Sequence, residues 1–462
     1  MQNIGEKCGV FGVYGKGLDA SRLTFFGLYA LQHRGQESSG IASADGEKIH
    51  CYKNKGLVSQ VFNEEIIKNL PGYIAIGHNR YSTSSGTGVE HAQPIEVADQ
   101  SIALAHNGNL PSVTALTDFL ATKNISTEGA SDSTIITIAL HSLIKEGLTI
   151  EEAVQKLFPL MTGSFCILIT TKDKLIAVRD QFGIRPFSIG KLNGGYVFAS
   201  ETCAFSPIGA VHFRDVLPGE MAVVDENGLR IKQIVLANQK LDIFEFVYFS
   251  RPDSTILGQS VYEVRKRFGE ELFKENKIEA DVVIPVPETS VPVAISYAQA
   301  SGIPFEMGLI KSRYIHRTFI EPEQHIREQG VKLKLTPLKE VINNKRVIVV
   351  DDSIVRGTTS RQIVKMLFES GAKEVHFLIS SPPVKFPDFY GIDIPKQSDL
   401  LASKFSIDEI NSYLGSTSLR FLSFDGMIKA TGLPKSSFCT ACFTGEYPID
   451  IKEKNDLVSY SK

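Results

Sequence analysis

The sequence predicts an α/β protein with a parallel sheet in its second half, and two stretches carry that expectation. Val347-Ile-Val-Val-Asp-Asp-Ser-Ile-Val-Arg-Gly-Thr-Thr359 places β-branched aliphatics ahead of two carboxylates, a glycine and a run of hydroxyls. The aliphatics read as a buried strand. Thr358, Thr359 and Ser360 open a predicted helix from Arg361 to Ser370. Asp281-Val-Val-Ile-Pro-Val-Pro-Glu-Thr-Ser290 repeats the pattern, a buried strand and a Pro-rich polar loop, and the apolar helix Val293 to Ala300 follows. Strand–loop–helix units of this kind build a parallel sheet whose ligand lies at the carboxyl ends of the strands.

The loop after Val350 has the chemistry of an anion site. A helix N-terminus presents free backbone N–H groups, and its dipole favours negative charge. The acidic pair Asp351 and Asp352 beside that cradle calls for a ligand with hydroxyls or a metal as well as phosphate.

Bulk composition narrows the class. The chain has 462 residues, 43% hydrophobic and 22% charged, which fits two or three ordinary globular domains. A net charge of −3 gives no basic field for nucleic acid. No apolar run reaches the roughly eighteen residues needed to span a bilayer. The start, Met1 to Lys7, lacks a secretory apolar segment. The expectation is a cytoplasmic protein, with no membrane partner, whose six cysteines are free thiols.

The first half alternates strands with polar loops. Cys8-Gly-Val-Phe-Gly-Val-Tyr-Gly15 reads as a strand with a thiol at its head. After the helical run Leu23 to Leu31, the stretch 31–41 (Leu-Gln-His-Arg-Gly-Gln-Glu-Ser-Ser-Gly-Ile) reads as a polar binding loop. Gly77-His-Asn-Arg-Tyr-Ser-Thr-Ser-Ser-Gly86 reads as a second and carries Arg80. Ala105-His-Asn-Gly-Asn-Leu110 is a third, after a strand Ser101 to Ala105, and Ser131-Asp-Ser133 a fourth, before a helix Thr134 to Ile144. A hairpin follows, from Ser164 to Thr170 and from Lys174 to Arg179, and Tyr196 to Glu201 reads as sheet core. Cys51, Cys166 and Cys203 sit in apolar settings and read as structural thiols.

These motifs, in this order and spacing, resemble the N-terminal-nucleophile (Ntn) glutamine amidotransferases over residues 8–235. The resemblance implies a four-layer α/β/β/α sandwich. Glutamine hydrolysis needs a nucleophile, a base, an oxyanion hole and a grip on the substrate's charged end. By the resemblance, Cys8 attacks the carboxamide, and its own α-amino group, once freed, is the base; such an amine titrates at about 7.7–8.0. Asn107 and the backbone of Gly108 hold the oxyanion. Arg80 takes the substrate carboxylate, for which its planar fork is suited, and Asp132 takes the ammonium.

The 347–359 loop resembles the ribose-phosphate loop of the type I phosphoribosyltransferases. That implies phosphoribosyl pyrophosphate (PRPP) held by Asp351, Asp352, Ser353, Gly357, Thr358 and Thr359, with Mg²⁺ near Ser290, Asp351 and Asp352. A serine at position 290 is otherwise a helix cap. Residues 311–330, polar and long, correspond to a loop that closes over PRPP; His316 stands there where the family has glycine. With Phe244-Glu-Phe-Val-Tyr-Phe-Ser-Arg-Pro-Asp-Ser254, an apolar edge running into a polar turn, the pair of domains is similar to the amidophosphoribosyltransferase family. The division implied is a propeptide at residues 1–7, an Ntn domain at 8–237 and a phosphoribosyltransferase domain at 238–462. The reaction implied is ammonia from glutamine passing through a channel to PRPP, giving 5-phosphoribosylamine, glutamate and pyrophosphate at the first step of purine synthesis. Purine nucleotides as feedback inhibitors and a homotetramer are implied as well.

One departure stands out. Part of that family binds a [4Fe–4S] cluster through four cysteines. Cys439 and Cys442 match two of them, but Asp242 and Asp388 occupy the other positions. Two hard carboxylates suit iron–sulfur poorly, though a Cys₂Asp₂ set can hold Zn²⁺. The preferred expectation is no metal there, with a cluster and a zinc site as alternatives. A PRPP-sensing regulator that has lost catalysis is the competing reading; the presence of Cys8 and the acidic pair argues against it. Other Ntn amidotransferases, such as glutamate synthases, lack the 351–359 loop.

Seven residues precede Cys8, so removing Met1 alone leaves its amine blocked. Intact-mass measurement of active enzyme is expected to show loss of Met1–Lys7; full activity with those residues retained would refute the processing.

Overall fold

The computed structural model describes residues 8–81, 88–312, 334–390, 396–451 and 458. The proposed propeptide, the end of the second polar loop (82–87) and most of the 311–330 loop, His316 included, lie outside the described residues.

Among the described residues thirteen strands precede residue 234: β1 (Gly9–Tyr14), β2 (Ser38–Ala44), β3 (Ile49–Lys55), β4 (Ile74–Arg80), β5 (Ile95–Glu96), β6 (Ala103–Ser112), β7 (Thr162–Thr170), β8 (Leu175–Arg179), β9 (Ser188–Leu192), β10 (Gly195–Ala199), β11 (Val211–Asp215), β12 (Glu220–Asp225) and β13 (Gly228–Gln233). They form a seven-stranded sheet, β11-β9-β10-β1-β4-β2-β3, and a six-stranded sheet, β13-β12-β8-β7-β6-β5. Side chains alternate across a strand, and β1 shows it: Val10 joins the core between the sheets with Ala105, Cys166 and Leu168, whereas Phe11 and Val13 pack outward with Leu28 of the helix Ala20–Ala30. On the opposite side, Leu104, Ile167 and Val178 pack against the helices Asp132–Lys145 and Ile150–Leu157. The result is helix, sheet, sheet, helix.

Three stretches expected as loops are wholly or partly strand instead, β4 taking up Gly77–Arg80 of the second polar loop. β6 runs straight through His106-Asn-Gly-Asn109, and β2 takes up the second half of the 31–41 motif. Polar side chains such as Ser38, Ser43, His106 and Asn107 are buried along these strands, so the alternation of apolar and polar residues that marks a strand is missing.

The C-terminal half holds a parallel sheet of Val282–Pro285, Arg346–Asp351, Glu374–Ile379 and Ser418–Phe421, in that spatial order. Val283, Ile348, Val350 and Leu378 face a core shared with the helices Val261–Glu275 and Val291–Ser301. Val282, Val347, Val349 and Phe377 face the helix Thr358–Glu369. Both faces are thus covered, as parallel sheets require. Residues Glu245–Phe249, expected as an apolar edge, form a short π-helix. No helix among the described residues is long and apolar enough to cross a membrane.

The two halves meet through buried charge. Arg34 binds Glu201 of its own half through Nε, and Glu245 of the other half through Nη2 at 2.6 Å. Arg185 reaches Glu245 at 3.2 Å and Asp242 at 3.3 Å. Glu201 in turn accepts from Ser254 Oγ at 2.6 Å and from the Arg251 amide at 2.9 Å. Burial opposes ionisation of Glu201, but Arg34 and His33 outweigh it and hold the carboxyl well below the ordinary range. For Glu245, burial is likewise outweighed by Arg34 and Arg185.

Removing one member of a buried ion pair costs about 3–5 kcal/mol, because the partner stays buried and uncompensated. Arg34→Met is expected to lower the urea midpoint by a corresponding margin. Glu201 and Glu245 titrate lower folded than unfolded, so their contribution is complete above the ordinary glutamate range and fades as pH falls through the depressed values. The wild-type advantage over Arg34→Met should therefore shrink in acid; an advantage independent of pH would contradict the ionic origin.

Candidate active sites

The first site gathers at the head of β1. Cys8 is half-buried and directly precedes that strand. β1 runs antiparallel to β4 with Gly9 opposite Asn79, which brings the neighbours Cys8 and Arg80 to the same edge. Arg80 ends β4, is buried, and lies 3.5 Å from Glu37. Burial pushes the Glu37 carboxyl up, against the lowering effect of Arg80.

Asn107 and Gly108 come from the other sheet. Asn107 is buried, and its Nδ2 donates to Ser200 Oγ at 3.3 Å. The same hydroxyl accepts from the Val10 amide at 3.0 Å. Gly108 has φ 153°, and a Cβ there would sit 2.0 Å from the Ser164 carbonyl oxygen. No other residue fits so close an approach of backbones. Asp132 is the first residue of the helix Asp132–Lys145, capped by Ser131; it accepts from the Leu110 amide of β6 at 3.2 Å and the Ser133 amide at 2.6 Å. Gln93 braces this corner, accepting from the His106 amide at 2.7 Å and donating to Ser133 Oγ at 3.1 Å. All the residues read from the sequence for the first site thus belong to elements that converge. Glu37, Gln93 and Ser200 were missed. Ser200 closes the run Tyr196 to Glu201, where nothing local separates it from sheet core.

The second site is a cleft at the carboxyl ends of the parallel strands. Its walls are 286–289, 351–353, 355–360, Lys311, Ser312 and Lys334, with Tyr248 from the π-helix. Asp351 ends its strand and is buried; burial, then the charge of Asp352, pushes its carboxyl well above the usual range. Asp351 accepts from the Asp352 amide at 2.9 Å, and Asp352 accepts from Ser353 Oγ at 2.7 Å. Gly357, at φ 72°, precedes the helix that begins at Thr358. Thr358 and Thr359 therefore stand in its first turn, where backbone donors have no helical acceptor. Thr289 lines the cleft, whereas Ser290 is not among the lining residues. Ser290 is fully buried, and among the described residues it makes no cap bond and its hydroxyl has no hydrogen-bond partner. Tyr248, Glu288 and Arg356 also line the cleft; each lay inside a motif without being assigned a role. The carboxylate pair and the orphaned hydroxyl are hard oxygen donors of the kind Mg²⁺ takes.

The residues in question for a cluster do come together. Asp242 pairs in register with Cys439 across two short parallel strands, Leu241–Asp242 and Phe438–Cys439. Cys439 and Cys442 are buried, and burial followed by the Asp242 and Asp388 charges pushes both thiols well up. Asp242 is pushed up by burial and by Asp388, against Arg185. Metal ligands must be deprotonated, and a [4Fe–4S] cluster takes four thiolates. The donor set does not fit a cluster. Among the described residues no group of three or more His, Cys, Asp or Glu side chains is arranged to hold a metal ion. Among the described residues no cysteine forms a disulfide; Cys51 and Cys166 are pushed up to about 12 by burial.

The fold and its two sites define a glutamine amidotransferase joined to a phosphoribosyltransferase. Residues 78–207 match the glutamine amidotransferase domain family, and 257–381 the phosphoribosyl transferase domain family. The amidophosphoribosyltransferase of Bacillus subtilis is 44% identical over 99% of this chain and 97% of its own. That of Mycobacterium tuberculosis is 46% identical over 98% of this chain and 88% of its own. The solved structure of glutamine PRPP amidotransferase from B. subtilis, complexed with ADP and GMP, superposes with a TM-score of 0.90 at 43% identity, covering 98% of this chain and 99% of that one. The chain belongs to the amidophosphoribosyltransferase family. Its reaction is the glutamine-dependent conversion of PRPP to 5-phosphoribosylamine in purine biosynthesis.

Proposed function

We propose that the two half-reactions divide between residues 8–237 and 238–462, after removal of residues 1–7. Cys8 Sγ attacks the glutamine carboxamide carbon while the freed α-amino group takes the thiol proton. Asn107 Nδ2 and the Gly108 amide hold the oxyanion, Arg80 holds the substrate carboxylate and Asp132 its ammonium. The C–N bond breaks, the proton leaves with the nitrogen as ammonia, and water hydrolyses the thioester to glutamate. In the second site, Asp351 and Asp352 hold the ribose hydroxyls, and Ser353, Gly357, Thr358 and Thr359 hold the 5′-phosphate. Ammonia from the first site forms a bond to ribose C1 as the bond to pyrophosphate breaks.

Asp351 and Asp352, with Ser290 as a further candidate, would hold Mg²⁺, which when bound would supply positive charge to offset that of the leaving pyrophosphate. The observation that carries this reading is the convergence at the head of β1, where Gly9 lies opposite Asn79 and Asn107 reaches Val10 through one hydroxyl. Purine nucleotides are proposed as feedback inhibitors, because the B. subtilis relative was solved with ADP and GMP. A homotetramer in the cytoplasm and an absence of iron–sulfur cluster or zinc at Asp242, Asp388, Cys439 and Cys442 complete the proposal.

Two substitutions separate the sites. Cys8→Ala is expected to abolish glutamine-dependent pyrophosphate release and to retain the ammonia-dependent reaction. Asp351→Ala is expected to abolish both while basal glutamine hydrolysis persists. Loss of both reactions in Cys8→Ala, or unchanged pyrophosphate release in Asp351→Ala, would overturn the division. Anaerobically purified protein is expected to contain iron and zinc far below one per chain; stoichiometric iron with a brown chromophore would overturn the metal-free reading.

A further inference from the structure

We infer that Ser200 is a positioning residue for glutamine hydrolysis, setting the direction of the Asn107 amide against the strand that begins at the nucleophile. The inference rests on the reading of Asn107 as an oxyanion donor. Ser200 follows β10 in the seven-stranded sheet and is fully buried. Its amide donates to the Val10 carbonyl at 3.0 Å, and the Val10 amide donates to its hydroxyl at 3.0 Å. Ser200 therefore holds β1 by both backbone and side chain, two residues from Cys8. The same hydroxyl accepts from Asn107 Nδ2 at 3.3 Å, and Asn107 lies on β6 of the six-stranded sheet. One oxygen thus joins the strand of the nucleophile to the strand of the oxyanion donor across the gap between the sheets.

The chemistry of the carboxamide makes that bond directional. The Asn NH₂ group has two donors fixed in one plane. Committing one N–H to Ser200 fixes the line of the other, which is the one left for the developing oxyanion. A donor that is already aimed needs no reorganisation as charge develops, the condition under which such donors lower a barrier. A hydroxyl has two acceptor lone pairs, so Ser200 can serve the Val10 amide and Asn107 together. Neither alanine nor an aliphatic residue at 200 could, and both donors would then be left in a buried site.

The test is a double-mutant cycle on the full-length enzyme with glutamine hydrolysis as readout. A net hydrogen bond is worth up to about tenfold, so Ser200→Ala is expected to lower kcat for glutamine roughly tenfold with KM little changed. Ammonia-dependent pyrophosphate release should hold at the wild-type level. Asn107→Ala alone should cost on the order of a hundredfold or more. In that background Ser200→Ala should add little, since Ser200 acts through Asn107. Ser200→Cys keeps the volume and a weak acceptor, so it should fall between alanine and wild type and serves if Ser200→Ala does not fold. Effects of Ser200→Ala and Asn107→Ala that multiply in full, or a change confined to KM, would overturn the positioning role. An unaffected kcat in Asn107→Ala would instead overturn the oxyanion assignment beneath it.

Discussion

The structure depends on the charge network at the junction of its two halves. Arg34 and Arg185 are fully buried, as are Glu201, Glu245 and Asp242. A charge taken from water costs several kcal/mol unless it is paired and hydrogen-bonded, so none of these groups tolerates separation from the others. Arg34, Arg185 and Glu201 come from the first half, and Asp242, Glu245 and Ser250 from the second. An apolar contact could slide, but a set of forked bonds to particular carboxylates fixes one orientation. Docking in that orientation is what a two-site enzyme requires, because ammonia made in one half must be used in the other.

The docking also reaches the oxyanion strand itself. Asn109, next to Gly108, donates to the Phe389 carbonyl at 2.8 Å, and Arg185 donates to the Tyr390 carbonyl at 3.2 Å. The segment 389–390 in turn packs with Ile184, Cys439 and Ile449 in one small core. Movement of that segment would be felt at Gly108, whose backbone already lies against β7 without room for a Cβ. The first site is therefore joined to the C-terminal half by close-packed contacts.

Much of this was legible in the sequence, and the boundary of legibility is physical. The aliphatic runs before Asp351 and within 282–285 announced parallel strands because both faces are buried, which leaves a continuous apolar stretch. The glutaminase motifs were legible as chemistry but partly misread as shape, since β6 carries His106, Asn107 and Asn109 to polar partners on three different segments. Contacts such as Arg34 with Glu245 span 211 residues of sequence, and Asn107 with Ser200 spans 93. No local pattern encodes a pairing at that distance. Ser200 and Tyr248 were unreadable for that reason: each gains a role only when a remote strand or loop is laid beside it.

The carboxylates at 242 and 388 follow from the same logic of the junction. Four thiolates around iron would tie together the segments near 242, 388 and 439–442. Here the same segments are also tied by contacts among the protein's own groups. Asp242 accepts from the Phe244 amide at 2.9 Å and pairs with Arg185, and Asp388 accepts from the Tyr390 amide at 2.8 Å. The Ile243 amide donates to the Cys439 carbonyl at 3.2 Å, and the Tyr390 hydroxyl to the Ile449 carbonyl at 2.7 Å. Arg185 Nη1 reaches both Asp242 and Glu245, and an oxygen acceptor at 242 suits the guanidinium better than a sulfur. Burial, then the neighbouring carboxylates, pushes the Cys439 and Cys442 thiols well up, and burial with Asp388 pushes the Asp242 carboxyl well above its usual range against Arg185.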